Sequence, residues 1–427
     1  MKSQIHKFLN IEIVKNVSVL SIGTIGSQLI PLLFAPIIAR LYSPNEFGLF
    51  AFVLGGVNIA AVVINGRYDL SVVLPRNQSQ AIDLVKGSWI IGFTLSALFT
   101  IILLLTRNDL AEFLDYQISI IECIILGLIV SNIAISQPLN FYLIREKAFA
   151  QIAKNKIVKG AVLVLMTLLF GYLMLDLPLN GLVYGFGFSW AALAIFSLYQ
   201  SVKLSFSVLP INLSKIKVAL KEYIEYPKFN AVPALFNSIA AQLGIYIFMF
   251  HFDQTQTGYY TFSKQYVFVP MTIVGMSLSQ VIFQRISEKF NNRESVIKEL
   301  KILFLVLISL GGIIILIINL FSVELFGFFF GDQWLDSAIM VKTLVFYFAI
   351  QFIISPLSNV LHALKRVKLA AVFPVFYLLC MLTLFCIPAM NTQRFITLYT
   401  IVESVPYLLY FVLISYATFS YERQLKS

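Results

Sequence analysis

Charge is what this sequence has least of. Only 12% of its 427 residues are Asp, Glu, Lys or Arg, whereas 59% are hydrophobic. A soluble domain carries roughly 25% charged residues, so this chain has too little polar surface to cover a water-soluble globule. Cysteine is equally scarce. Cys123, Cys380 and Cys386 all fall within apolar stretches, which excludes a disulfide framework and any Cys/His metal spacing. The three histidines, His6, His251 and His362, lie far apart and offer no paired constellation for catalysis. There is no glycine-rich nucleotide loop, no HExxH or CxxC, and no GxSxG elbow. An ATPase motor within the chain is thereby excluded. Most loops on one side are shorter than ~16 residues, too short for a folded catalytic domain. The expectation is a protein that is not an enzyme and uses no cofactor and no metal.

What is abundant is uninterrupted apolar sequence, in blocks of about 18–26 residues, each able to cross a ~30 Å hydrocarbon core as a helix. The ~10-residue alternation of a membrane β-barrel is missing. Spans are predicted near Val17–Ala39, Phe47–Ile64, Leu84–Leu105, Ile118–Leu143, Ile157–Leu175 and Leu179–Val202. Six more follow near Phe229–Phe250, Tyr259–Phe283, Ile302–Val323, Ala338–Leu361, Leu369–Ala389 and Phe395–Ser415. The fold class is therefore an all-α polytopic membrane protein of about twelve transmembrane helices. The polar segment Met1–Lys15 runs into a full-length span and does not read as a cleavable signal peptide.

Basic residues fix the expected orientation. Alternate loops collect 26 Lys and Arg on one side, including Lys154, Lys156 and Lys159, and only Arg40, Arg107 and Arg394 on the other. The positive-inside rule places both termini in the cytoplasm. The net charge of +10 is explained by these loops, and nucleic-acid binding is not expected.

The chain divides into an N-terminal six-helix bundle (1–202), a cytoplasmic linker (203–228) and a C-terminal six-helix bundle (229–427). Within the linker, Ile216, Leu220, Tyr223 and Ile224 share a face, with Lys215, Lys217 and Lys221 elsewhere. This fits either a short helix lying on the anionic inner leaflet or a solvated connector. The halves look related. Gln28-Leu29 followed by Phe47-Gly48-Leu49-Phe50 is echoed by Gln242-Leu243 followed by Thr257-Gly258-Tyr259-Tyr260. Equal span counts make this a parallel repeat, consistent with two bundles about a central cavity.

Polar groups inside spans are costly and tend to face a bundle interior or a hydrated cavity. Ser21, Thr24 and Gln28 share a helix face, as do Asn132, Ser136 and Asn140. Asn237 lies beside Gln242, and Gln351, Ser355, Asn359 and His362 form another stripe. Each stripe reads either as interhelical hydrogen bonding or as a cavity lining. The candidate cavity residues are Lys264, Arg40, Gln28, Asn237, Gln242 and Asn140. Lys264 either snorkels outward or attracts an anionic group such as phosphate. Glu403, inside the last span, is the candidate for ion coupling, or else a structural partner of a lysine. Glu122 is the one acidic residue in the N-terminal half placed to serve a cation antiporter.

Several segments, taken in order, resemble a known family. Arg40-Leu41-Tyr42-Ser43-Pro44-Asn45-Glu46-Phe47-Gly48 looks like the first-loop signature of polysaccharide-exporting flippases. Arg67-Tyr68-Asp69-Leu70-Ser71-Val72-Val73-Leu74-Pro75 is similar to their second-loop motif. Tyr226-Pro227-Lys228-Phe229-Asn230, Gly258-Tyr259-Tyr260, Phe330-Gly331-Asp332-Gln333-Trp334 and Ser355-Pro356-Leu357-Ser358 fit as well. The resemblance implies a flippase of the Wzx type, with the MATE/MOP-like architecture shared by multidrug extruders. It implies a cationic cavity and a bacterial cytoplasmic (inner) membrane location. The implied cargo is an undecaprenyl-diphosphate-linked oligosaccharide, an O-antigen or related lipopolysaccharide repeat unit, moved by alternating access. Implied partners are membrane lipids, the glycan polymerase and the chain-length machinery. Arg67 and Asp69 become candidates for gating or for receiving the headgroup. The alternative is a cation-coupled multidrug or small-molecule antiporter of the same superfamily.

Overall fold

Because a helix satisfies its backbone hydrogen bonds internally, apolar blocks of this length are helical in lipid. A computed structural model describes residues 23–173, 179–388 and 390–426, which are helical with no strand among them. Eleven helices are long and apolar enough to cross a membrane, and twelve if the bent pair α1 (Gly23–Leu33) and α2 (Ala35–Leu41) counts as one span. This is a multi-pass membrane protein. The bend of 45° falls where Pro36 opens α2 and cannot donate to the preceding turn. Ser21, His6 and the start of the first predicted span lie outside the described residues.

The helices continue as α3 (Pro44–Val63), a short 3-10 turn (Tyr68–Val73), α4 (Gln78–Leu105), α5 (Arg107–Leu114) and α6 (Ile120–Arg145). Then come α7 (Phe149–Leu173), α8 (Gly181–Lys203), α9 (Leu213–Glu222) and α10 (Glu225–His251). The second half has α11 (Gln254–Ser263), a π-turn (Lys264–Phe268), α12 (Val269–Asn291), α13 (Ile297–Phe330), a 3-10 turn (Asp332–Trp334) and α14 (Leu335–Leu357). The short α15 (Asn359–Ala363) and α16 (Val367–Ala370) precede α17 (Val372–Thr383) and α18 (Thr392–Lys426). Two compact units result. One comprises the described residues up to Tyr42 with Phe52–Ile239, the other Ser43–Ala51 with Ala240 onward.

In the first unit, the 203–228 segment is built into the bundle. Ile216 and Ala219 of α9 are buried, and Leu220 packs against the core formed by Leu84, Val85, Leu139 and Tyr142. Of the expected apolar face, Ile216, Leu220 and Tyr223 thus pack on protein, while Ile224 remains exposed, as do Lys215, Lys217 and Lys221. Tyr142 ties this base together, accepting from Gln78 at 3.1 Å and donating to the Leu204 carbonyl at 2.9 Å. Arg145 holds the Pro75 carbonyl that ends the second-loop motif.

In the second unit, the echoed glycines lie face to face. A Cβ on Gly48 would stand 1.7 Å from the Gln254 carbonyl oxygen, and one on Gly258 1.8 Å from that of Pro44. Only glycine permits backbones this close. Ser43 and Glu46 cap the start of α3 reciprocally, the Ser43 N–H donating to Glu46 Oε2 at 2.8 Å and the Glu46 N–H to Ser43 Oγ at 3.3 Å. Phe47 then packs edge-on against both Phe262 and Trp334, whose rings stack on each other at 3.6 Å. The Phe330–Trp334 motif is therefore an anchor for α3 and α11.

Candidate functional site

Helix α7 begins earlier than the charge pattern suggests, and this adds two lysines to a helix long and apolar enough to cross a membrane. Lys156 and Lys159, assigned above to a loop, sit about 10 Å and 15 Å along the helix from Phe149. The pair is held by neutral groups. Gly160 packs against the Ser27 carbonyl, where a Cβ would lie 2.8 Å away, and this close crossing brings α1 to α7. Lys156 Nζ consequently donates to Thr24 Oγ1 at 2.8 Å. Lys159 Nζ lies 3.3 Å from the centroid of the Trp190 ring on α8, a cation–π contact. Among the described residues, neither lysine has an ion-pair partner within 4.0 Å. Gln28 is exposed one helical turn beyond Thr24, on the same face of α1.

The second unit holds its intramembrane charge differently. Pro270 has no N–H to give, and the helix answers with a π-turn in which the Val269 N–H reaches back to the Lys264 carbonyl. Lys264 is half-buried, and its ammonium donates to Tyr260 Oη at 3.5 Å. Tyr260 Oη meets Tyr399 Oη at 2.8 Å, and Tyr399 Oη donates to Glu403 Oε1 at 2.6 Å. Tyr377 Oη donates to the same carboxylate oxygen at 3.2 Å. Glu403 is only 2% exposed. Phe248 stacks on Tyr260 at 4.3 Å and lies edge-on to Tyr399 at 5.1 Å, fixing both rings. Gly244 makes room for the hydroxyls, because a Cβ there would lie 2.3 Å from Tyr260 Oη and 2.5 Å from Tyr399 Oη. Five elements therefore build one line of hydrogen bonds from an ammonium to a buried carboxylate.

The remaining candidates are placed as follows. Arg40 is exposed in the last turn of α2, Asn237 is exposed on α10, and Gln242 and Asn140 are half-buried on α10 and α6. No hydrogen bond joins these four to Lys264, Lys156 or Lys159 among those described. The polar stripe on α6 largely serves its own helix, Asn132 donating to the Leu128 carbonyl and Ser136 to that of Ile133. The stripe on α14 is interhelical, since Asn359 bonds Ser279, which in turn donates to the Pro356 carbonyl. His251 holds the Leu384 carbonyl at 2.7 Å.

Arg67 takes a left-handed conformation at φ 62° and directs Nη1 toward the Val62 carbonyl. Asp69 is 4% exposed. Burial pushes its carboxyl up from the usual carboxylate range, while Arg67 and the backbone N–H groups of Asp69 and Leu70 pull it partly back. Together they staple the turn that follows α3. Glu122 is likewise committed. Its carboxylate accepts from the Ser119 N–H and from Tyr116 Oη, closing a capping box on α6. No group of three or more His, Cys, Asp or Glu suited to a metal occurs among the described residues.

The fold is that of MOP-superfamily transporters. The chain is similar to a structure titled as an inward-facing multidrug resistance MATE family transporter of that superfamily. The TM-score is 0.73 at 13% identity, covering 96% of this chain and 99% of the other. An outward-facing MATE family transporter matches with a TM-score of 0.58 at 14% identity, over 95% and 96% of the two chains. A MOP superfamily transporter from Pyrococcus furiosus, described as having a binding pocket of reverse polarity, matches with a TM-score of 0.60 at 15% identity, over 96% of each chain. No curated protein sequence matches the chain. Its family is nevertheless plain: residues 37–339 match the family described as polysaccharide biosynthesis protein, and the chain belongs to it.

Proposed function

We propose that this protein is a flippase that carries a lipid-linked oligosaccharide, its sugars joined to the lipid through a diphosphate, across the bacterial inner membrane by alternating access. The observation that carries the reading is the pair Lys156 and Lys159, two ammonium groups inside a membrane helix whose partners are a hydroxyl and an indole face. Cations kept in a bundle with only neutral partners leave their charge available to an anion. Membership of a polysaccharide biosynthesis family supports a glycan precursor as cargo, and a diphosphate-linked one would carry the negative charge that two ammonium groups attract. The likeness to a transporter described as reversed in pocket polarity points the same way. Export of cationic drugs, the alternative, fits less well, because Glu122 in the first unit is spent on a helix cap. The expected orientation has both termini in the cytoplasm, so that cargo loads from the leaflet where its sugars are assembled. The protein acts without covalent chemistry on its cargo.

The test is the inventory of lipid-linked saccharides in cells with and without this protein, together with their sidedness. Loss of the protein should trap the lipid-linked glycan on the cytoplasmic leaflet and remove the surface glycan. Unchanged lipid-linked saccharide and unchanged surface glycan would overturn the cargo assignment.

A further inference from the structure

We infer that Lys264 and Glu403 form one exchange site, joined by Tyr260 and Tyr399, in which binding of an anion at Lys264 is accompanied by uptake of a proton at Glu403. The inference rests on the flippase reading for the nature of the anion, a diphosphate diester, and adds to it a coupled proton.

The geometry gives the two ends different access. Lys264 is half-buried at the π-turn, whereas Glu403 is buried at 2% exposure. Their nitrogen and oxygen atoms do not approach within the 4.0 Å of an ion pair. They are connected instead through two phenols, by contacts of 3.5, 2.8 and 2.6 Å. Phenol is suited to this position because each hydroxyl donates one hydrogen bond while accepting another. The titratable groups facing Glu403 are Tyr260 from α11, Lys264 from the π-turn, Tyr347 from α14, Tyr377 from α17, and Tyr399 and Tyr407 on α18 itself. Lys264 is the one cation among them.

Electroneutrality then sets the sign. Empty, the site holds one ammonium and one carboxylate, a balanced pair in surroundings where net charge is costly. An anion that binds Lys264 adds negative charge beside Glu403 and takes over its counter-ion. Both effects favour the neutral carboxylic acid. The proton reaches it along the phenols. Tyr399 Oη gives its proton to Glu403 Oε1 and takes one from Tyr260 Oη, which takes one from the Lys264 ammonium. Lys264 is reprotonated from the accessible side. Each phenol ends as it began, and the net change is one proton added to the carboxylate.

The experiment uses the full-length protein in lipid nanodiscs and a short-chain citronellyl-diphosphate monosaccharide, a diester already fully ionised between about pH 5 and 8. Calorimetric titration in buffers of different ionisation enthalpy counts protons exchanged per anion bound. Uptake approaching one proton is expected for the native protein, with affinity rising by up to about tenfold per unit fall in pH. Glu403→Gln should bind the probe with no uptake and no pH dependence. Tyr399→Phe removes a hydrogen bond that holds the carboxylate charge, so uptake should fall because the proton is already in place. Probe binding by the native protein with no proton exchanged would overturn the exchange site and leave the flippase reading standing. Undiminished uptake in Glu403→Gln would also overturn it. If the native protein fails to bind the diester at any pH, the inference falls together with the reading on which it rests.

Discussion

The two units of this protein confront the same problem, a lysine inside an apolar bundle, and treat it in opposite ways. In the first, Lys156 and Lys159 rest on Thr24 and Trp190, so the positive charge is solvated but not cancelled. In the second, Lys264 is tied through Tyr260 and Tyr399 to Glu403, so the charge is cancelled at a distance. Desolvation of an ion is repaid in full only by an opposite charge with good geometry. The first unit therefore remains short of a negative partner for each of its two lysines and is suited to retaining an anion. The second is internally balanced, and an anion must displace something to enter it.

This contrast is broken most directly at the first unit. Lys156→Gln combined with Lys159→Gln should reduce export of lipid-linked glycan on the order of a hundredfold, each lost charge-assisted contact being worth about 1.5–3 kcal/mol. Membrane insertion should persist, because both changes remove charge from a span. Glycan export at the native rate by the double variant would show that the uncancelled charge has no cargo. Lys264→Ala should be milder, about tenfold, and its residual export should lose dependence on external pH, whereas the first-unit variant should retain that dependence. Equal pH profiles in the two variants would erase the distinction between the units.

A smaller step sharpens the comparison inside the second unit. Gly244→Ala places a methyl group where the Tyr260 and Tyr399 hydroxyls meet, with no backbone change required at that helical position. Overpacking of this kind costs about 1–3 kcal/mol, and the phenols must separate to relieve it. Thermal stability in detergent should fall, and proton uptake on anion binding should fall with it. A variant with lowered stability but intact proton exchange would mean that the contact at 2.8 Å between the phenols is packing alone.

Much of the scaffold is readable in the sequence. Each apolar block from the second onward falls on one of the eleven helices able to cross a membrane, but several of these run past the block, α7 starting eight residues before Ile157 and α18 ending eleven residues after Ser415. Lys264 and Glu403 stood out as charges within spans. Their connection did not, although Tyr260 precedes Lys264 and Tyr399 precedes Glu403 by four residues, one turn of helix in each case. Pairing two such turns depends on tertiary packing, here on Phe248 and Gly244, and no local pattern carries that. Lys156 and Lys159 were missed for a further reason. The positive-inside rule assigns any lysine near a boundary to the loop, and the close crossing at Gly160 that brings Thr24 to Lys156 is a tertiary contact. The stripe of Asn132 and Ser136 had the right period for a cavity, yet back-bonding to Leu128 and Ile133 satisfies it locally. Gly48 and Gly258 were legible as a repeat but not as a contact.

The smallest effect is expected where the first unit does bring an acid near a base. Asp69 is buried beside Arg67, and burial outweighs that charge in setting its carboxyl above the ordinary range. A carboxyl whose folded value is raised favours the folded state in its protonated form. That contribution is complete below the unfolded value of ~3.9 and is lost as pH rises through the raised folded value. Above that window Asp69 therefore weakens the turn it staples, and Asp69→Asn, which keeps the acceptor for the Leu70 N–H, should raise the melting temperature there. The native protein should lose stability on going from acid to neutral pH across this window, and the Asn variant should lose less. A melting temperature lowered by Asp69→Asn at neutral pH would mean that the attraction of Arg67 outweighs burial. The first unit would then contain a cancelled charge pair after all, and the contrast with Lys264 and Glu403 would narrow to the lysines of α7.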